Sequence, residues 1–217
     1  NELRPAIMWM DVRATEQAAR AENSESVARL YNGAGASPAT AEWYPFKAAW
    51  LREHEPETYR KAAHLVDAPD WVTFKLTGEW TTNINSAAIR MYYNRDKGGW
   101  PEDFYQTIGC GDVFDKIPER VLDLGTPVGT LATIPAQLLG LRPGIPVAQG
   151  LADAWAGQIG LGVLSAGSMA LITGSSHVLT GQADTEIHGE GFFGAYPDGV
   201  MPGQYTVEAS QVSTGSV

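Results

Sequence analysis

Apolar and polar positions divide this chain into short continuous apolar runs and stretches with helical spacing. Residues 6–10 (Ala6, Ile7, Met8, Trp9, Met10) are all apolar and stop at Asp11, the pattern of a buried strand. Ala14 to Leu30 is rich in helix formers, with Glu16 placed early where the helix dipole favours an acid. Gly33, Gly35 and Pro38 then interrupt the pattern. Phe46, Ala49 and Trp50 fall at i, i+3 and i+4, predicting a helix over 46–54, and Pro56 to Ala63 predicts a second. Leu65 and Val66 read as a short strand, and Asp70 as the cap of a helix through Leu76 that Gly78 ends. Residues 92–118 are turn-rich. Ile134 to Leu141 predicts a short helix closed by Gly140, and Ile145 to Gln149 a strand entering Gly150. Beyond a helix ending near Leu161 and a turn at 165–167 the pattern becomes β-like. Strands are expected over Ser168–Thr173, Val178–Thr180 and Gln204–Glu208. No repeat of fixed period is present. The mixture of helices and strands places the chain in the α/β class.

Composition narrows the possible partners. The 217 residues carry 15 Lys and Arg against 25 Asp and Glu, a formal net charge of −10. With 44% apolar and 18% charged residues this is a globular chain, and its acidity argues against general nucleic-acid binding. A single cysteine, Cys110, excludes an intrachain disulfide and fits a reducing, cytoplasmic home. The chain starts at Asn1 with no signal-peptide pattern and stops without a polar tail, which reads as a piece of a longer protein. Charge is also uneven: residues 143–217 hold six acids and no Lys or Arg, suggesting an architectural boundary between 142 and 165. Residues 154–173 are uncharged, but four glycines and the lack of flanking cations favour a short helix, a turn and a strand over a membrane span.

Four short motifs could carry chemistry. Asp153 follows an apolar strand and opens a small-residue helix, where α/β folds place their ligand crevices. It could act as a general base, with Leu151, Ala154 and Trp155 partly desolvating it, or serve only as a helix cap. Gly174, Ser175 and Ser176 lie between two strands, where backbone amides and hydroxyls can approach phosphate oxygens without a cation. The alternative is an ordinary hairpin turn. Asp11 and Arg13, two apart, share one side of an extended segment and could serve sugar hydroxyls as acceptor and donor, or pair with each other. Glu208 lies in a strand, either as a ligand group or as an exposed acid. Of the histidines only His64, near Asp67, hints at a metal pair, and nothing completes a ligand set, so no metal ligand is assigned.

Taken in order, these motifs resemble the FGGY family of carbohydrate kinases and its ribulokinase-like branch. The likeness rests on Trp9, Asp11 and Arg13, on the segment from Trp71 to Arg90, and on Gly150, Asp153 and Gly157. It continues through the turn at 174–176 and from Pro202 and Gly203 to Glu208, Gln211 and Gly215. Membership implies a ribonuclease-H-like (actin-like ATPase) fold, part of a two-domain sugar kinase. Residues 1–162 would be the remainder of the N-terminal sugar-binding domain, its first strands missing. Residues 163–217 would begin the C-terminal ATP-binding domain. The resemblance implies that Asp153 is the catalytic base, that Asp11, Arg13 and Glu208 bind the sugar, and that Gly174, Ser175 and Ser176 bind ATP phosphates. It implies ATP and Mg²⁺ as co-substrate and cofactor and a small sugar, a ketopentose such as ribulose or xylulose, as acceptor. No nucleic acid or membrane partner is implied, and a homodimer is allowed. The alternatives are a polyol (glycerol, erythritol or ribitol) kinase and a catalytically inactive sugar-binding module. Ser175 stands where the family's turn has Thr, and Ser210 where it has a second small Gly. The family's N-terminal phosphate motif, Asp-x-Gly-Thr, does not occur in the chain, so the 217 residues alone are expected to be inactive.

Overall fold

A computed structural model describes residues 2–32, 39–174 and 177–211. Among them, helices α1 (Thr15–Glu22), α2 (Tyr44–His54), α3 (Pro56–Lys61) and α4 (Ala68–Thr77) occupy the first third of the chain. A parallel pair of two-residue strands follows, β1 (Thr82–Asn83) with β2 (Val121–Leu122), bracketing α5 (Ile84–Arg90) and α6 (Glu102–Thr107). Strands β3 (Pro127–Thr130) and β4 (Pro146–Ala148) pair antiparallel around α7 (Thr133–Leu139). Helix α8 (Asp153–Gly160) then leads to β5 (Met169–Thr173), β6 (His177–Ala183), β7 (Gly194–Pro197) and β8 (Tyr205–Gln211). These four make one antiparallel sheet in the order β5-β6-β8-β7.

Several sequence expectations hold and several are corrected. Helix α2 covers the expected 46–54 and begins two residues earlier, with Pro45 in its first turn, where proline's missing N–H costs nothing. Gly78 and Gly140 end α4 and α7 in the left-handed conformation, at φ of 83° and 67°. Residues 6–10 are not a buried strand: Met8 is 61% and Trp9 57% exposed. No ladder forms there among the described residues; instead Lys47 Nζ donates to the carbonyls of Met8 and Trp9 at 2.7 and 2.9 Å. The helix expected over 14–30 breaks at Asn23. Ser24 and Ser26 hydroxyls accept backbone N–H groups there and restart the chain as a single 3₁₀ turn, Val27–Leu30. Leu65 makes one backbone bond, to Lys116 O, and is not part of a strand. Asp67, not Asp70, caps α4, because Pro69 belongs in the first helical turn and moves the cap ahead of it. The span 154–173 resolves into α8, a turn and β5, and no helix among the described residues is long and apolar enough to cross a membrane. Strands β1, β2, β3 and β7 have no counterpart in the sequence expectations. Strand β7 is Gly-Ala-Tyr-Pro, poor in strand formers, and exists through its pairing with β8.

Besides a small apolar cluster within the late sheet, around Ala183, Ala195 and Val207, two clusters hold these elements together. The larger gathers α1, α2 and α6 around Trp43, Phe46, Tyr92, Phe104 and Tyr105. Tyr92 lies just beyond α5 with φ of 61°, a conformation that costs a non-glycine residue roughly 1–3 kcal/mol. Its ring meets Phe104 at 4.5 Å, Trp43 at 5.7 Å and Phe46 at 6.0 Å between centroids, and burial of these rings offsets the strain. The smaller cluster joins Ala88 and Ile89 of α5 to Trp155 of α8 and to Tyr196 and Val200 around β7. It binds the late sheet to the early helices.

Glu208 in β8 is the ionic half of that junction. It is 3% exposed and accepts both guanidinium ends of Arg90, at 3.0 and 2.9 Å. Burial on its own would lower the Arg90 pKa, but the charge and hydrogen bonds of Glu208 outweigh it and raise the guanidinium further. Removing one member of such a pair leaves the other buried without compensation, typically at a cost of about 3–5 kcal/mol. Arg90→Met is therefore expected to lower the unfolding free energy by roughly that amount. The double variant Arg90→Met, Glu208→Met should recover a large part of the loss, as read by urea denaturation.

Candidate active site

Strand β4 delivers the chain to Gly150, and α8 starts three residues later. Ala152, in an extended conformation, is the N-cap, and Asp153 is the first helical residue. Its carboxylate is exposed and accepts the Ala154 N–H at 2.8 Å, leaving acceptor capacity turned to solvent. This differs from a plain cap, since the cap position belongs to Ala152. It also differs from the partly desolvated acid the sequence suggests. The expected shield, Trp155, is buried in the smaller cluster, where its ring receives Arg90 at 5.0 Å.

Two further contacts hold the Asp153 segment to the rest of the site. Ala152 N–H donates to Asn85 Oδ1 at 3.3 Å, while Asn85 Nδ2 donates to Gly199 O at 2.9 Å. One α5 side chain thus ties the start of α8 to the turn between β7 and β8. Farther along α8, buried Gln158 accepts from Thr180 Oγ1 at 2.6 Å. Thr180 is the β6 residue paired in register with Glu208. On the other side of Glu208 the register partner is Gly194, where a Cβ would come within 2.7 Å of the Tyr196 ring. Glycine there leaves space for Tyr196, whose hydroxyl donates to Glu208 Oε2 at 3.4 Å. Asp153 and Glu208 are therefore bound into one neighbourhood through Arg90, Trp155, Asn85 and Gln158.

Asp11 and Arg13 are bound first to each other. Arg13 donates to Asp11 through its backbone N, Nε and a terminal guanidinium nitrogen at 2.9, 2.9 and 2.7 Å. Hydrogen bonds from the Arg13 side chain, then from its backbone, hold the Asp11 carboxyl down at about 2. The Arg13 guanidinium also lies 4.7 Å from the Trp50 ring. Trp50 follows Trp43 by two turns of α2, about 10 Å along the axis, and Trp43 touches Arg90 at 5.9 Å. The face of α2 thus runs from the Glu208 neighbourhood to the Asp11 turn. Gly174 follows β5 in the β5–β6 hairpin, where Thr173 pairs with His177. Ser175 and Ser176 lie outside the described residues. The His64 ring meets that of Trp80 at 4.8 Å, tilted by 47°, and Asp67 is engaged as a cap and by Ser86 Oγ at 2.6 Å. An open hollow of about 490 Å³ beside Tyr93, Trp100 and Arg120 contains none of the candidate residues.

Sequence reasoning did not single out Arg90 as a site residue, although a signal existed. With no Lys or Arg after residue 142, any buried acid in the late strands must take its cation from the earlier part of the chain. Sequence reasoning also missed the role of Asp70. This carboxyl is 1% exposed, and burial pushes it up to about 7, against the hydrogen bonds it accepts from Asn83 and Gln149; nearby Asp67 adds to the rise.

A family model described as the N-terminal domain of the FGGY family of carbohydrate kinases matches residues 1–160. An FGGY carbohydrate kinase domain-containing protein of Xenopus laevis is 33% identical over 235 residues, covering 99% of this chain and 42% of that protein. A ribulokinase of Anoxybacillus flavithermus is 31% identical over 183 residues, covering 82% of this chain and 32% of its own length. Among solved structures, xylulose kinase from Rhodospirillum rubrum superimposes with a TM-score of 0.83 at 24% identity, over 99% of this chain and 43% of that one. Plasmodium falciparum glycerol kinase with ADP gives 0.78 at 19% identity, over 99% and 43%. The chain belongs to the FGGY family of carbohydrate kinases, and its α/β fold is that of these sugar kinases, of the actin-like ATPase type. It spans about two fifths of the length of the first of these curated relatives.

The Asp70 carboxyl gives stability a defined pH dependence. The unfolded group ionises near 3.8 and the folded one near 7, so between these values the folded state holds the extra proton. Folding stability accordingly falls as pH rises through that window and levels off above it. Asp70→Asn keeps an acceptor oxygen without the ionisation. Its stability relative to the parent should rise by about 2–3 kcal/mol between pH 5 and pH 8 in denaturant titrations.

Proposed function

We propose that the protein containing this chain is an ATP-dependent sugar kinase acting on a ketopentose such as ribulose or xylulose. One observation carries this reading: an exposed carboxylate with free acceptor capacity, Asp153, opens α8, the helix whose Trp155 receives the Arg90 guanidinium at 5.0 Å. Family membership supports phosphoryl transfer to a sugar hydroxyl. The ribulokinase relatives support a ketopentose as the acceptor. Residues 1–162 would belong to the sugar-binding domain and 163–217 would open the ATP-binding one. The change in charge after Arg142 supports that division.

In this reading Asp153 accepts the proton of the attacking sugar hydroxyl. The oxygen forms its bond to the γ-phosphorus of ATP as the bond to the ADP oxygen breaks, giving sugar phosphate and ADP. Glu208, buried with both oxygens engaged by Arg90, would serve the sugar by fixing that guanidinium, whose partly exposed side is the donor to sugar hydroxyls. Asp11 and Arg13 border the sugar side, and Gly174, Ser175 and Ser176 receive phosphate oxygens. Mg²⁺ characteristically takes one or two carboxylates and completes its shell with phosphate oxygens and water. Since this reading uses the exposed Asp153 for the sugar proton, Mg²⁺ would be held chiefly by phosphate oxygens and water. Bound there, Mg²⁺ would neutralise charge on the transferring phosphoryl group. A cytoplasmic ATP pool would supply the co-substrate.

The test is ADP release by the complete gene product, assayed against ribulose, xylulose, ribitol, erythritol and glycerol. A ketopentose should give the strongest signal. Asp153→Asn should lower kcat by about 10²-fold or more with the melting temperature nearly unchanged. Silence across the panel from a well-folded protein would defeat the kinase reading.

A further inference from the structure

Beneath the candidate site lies a closed polar network that the proposed chemistry does not use. Asp70 Oδ1, in the first turn of α4, accepts three hydrogen bonds: from Asn83 N at 2.9 Å, Asn83 Nδ2 at 2.9 Å and Gln149 Nε2 at 3.0 Å. Gln149 Oε1 in turn accepts from Thr81 Oγ1 at 2.7 Å. Its backbone is held on both sides, by Thr126 O at 2.8 Å and by the Gly125 N–H at 3.0 Å. Asp70, Thr81, Asn83 and Gln149 are each at most 3% exposed. A buried polar network of this kind costs desolvation that apolar packing would avoid, and only full satisfaction makes it tolerable.

What distinguishes the network is where its two arms lead. Asn83 is the N-cap of α5: its Oδ1 accepts the Ser86 N–H at 2.6 Å, and the rigid helix that follows ends in Arg90. Gln149 terminates β4, and the chain reaches Asp153 four residues later. One carboxylate oxygen therefore fixes the starting points of both segments that carry the candidate chemistry. Asn85 closes the loop by holding Ala152 from α5 at the far end. Without the Asp70–Gln149 bond, the direct tie between the β4 end and the α5 cap is lost, and what remains is the Thr81 hydroxyl, the backbone bonds to Gly125 and Thr126, Asn85 and apolar contacts.

We propose that Asp70 and Gln149 are positioning residues for phosphoryl transfer, a brace that sets the spacing between the Asp153 segment and the Arg90 helix. This rests on the sugar-kinase reading for its catalytic consequence but not for its structural one. Positioning errors of about 1 Å cost up to about a hundredfold in rate. The effect of breaking the brace falls on kcat rather than on nucleotide binding, because the brace touches neither substrate.

The test is Gln149→Met in the complete gene product, which keeps the side-chain length and removes the links to Asp70 and to Thr81. A comparison variant, Phe104→Leu, loosens the aromatic cluster away from the site. Steady-state kinetics should show kcat lowered about tenfold or more with KM for ATP within about twofold, while Phe104→Leu keeps kcat near the parent value. Amide hydrogen exchange should accelerate selectively over 150–155 in Gln149→Met, including the Ala152 N–H. Asp70→Asn, which retains an acceptor oxygen, should keep more of kcat than Asp70→Ala. An unchanged kcat, or exchange accelerated evenly along the whole chain, would overturn the brace. Should the parent transfer no phosphate to any sugar, the kinase reading fails while the exchange comparison still decides the brace.

Discussion

The chain depends on a charge placed where charge is costly. Glu208 sits in an inner strand of the late sheet, buried between Thr180 and Gly194, and a carboxylate in such a place is stable only with a matching cation and full hydrogen bonding. The late part of the chain has no cation to offer, so the partner comes from α5, 118 residues away in sequence. Much else follows from that import. The guanidinium of Arg90 needs low-polarity walls on its faces, which Trp43 and Trp155 supply at 5.9 and 5.0 Å, and Trp155 brings α8 with it. The helix that Asp153 opens is thus one of those walls.

The same segment of chain supplies the neighbouring ionic ties. Arg95 bridges Asp123 and Asp198, Asp96 accepts from the Tyr205 hydroxyl, and Lys97 faces Glu186. Residues 90–97 thus act as a basic seam to which an acidic, cation-free sheet attaches. These outer contacts are exposed and individually weak, in contrast to the buried pair. They orient the sheet, whereas Arg90 and Glu208 hold it.

Much of this architecture was legible in the sequence wherever a local rule operates. Gly78 and Gly140 end helices because left-handed backbone favours glycine, and α2 follows from the spacing of Phe46, Ala49 and Trp50. Asp153 could be placed at a strand-to-helix junction from apolar patterning alone. Long-range determinants were not legible. The apolar run at 6–10 has the composition of a buried strand, but a strand exists only where a neighbour offers its hydrogen bonds. Asp70 resembled a helix cap because local patterning cannot distinguish a carboxyl facing solvent from one facing Asn83 and Gln149. Strand β7 lacks strand formers and owes its existence to β8. The charge asymmetry requires an early cation for Glu208 only once its burial is known, and the fold identifies that cation as Arg90.

The distance along the chain between Arg90 and Glu208 has a consequence for biosynthesis. At typical elongation rates, about 10 s separate the appearance of the arginine from that of its glutamate. The hairpins of the late sheet can form locally and quickly, but the sheet can dock only when its last strand is made. During that interval the nascent helical layer presents Trp43 and a hydrated guanidinium instead of a closed interface. A long, cationic side chain keeps that waiting surface wetted until the acid arrives. The residue that locks the finished structure thus also guards the unfinished one against premature association.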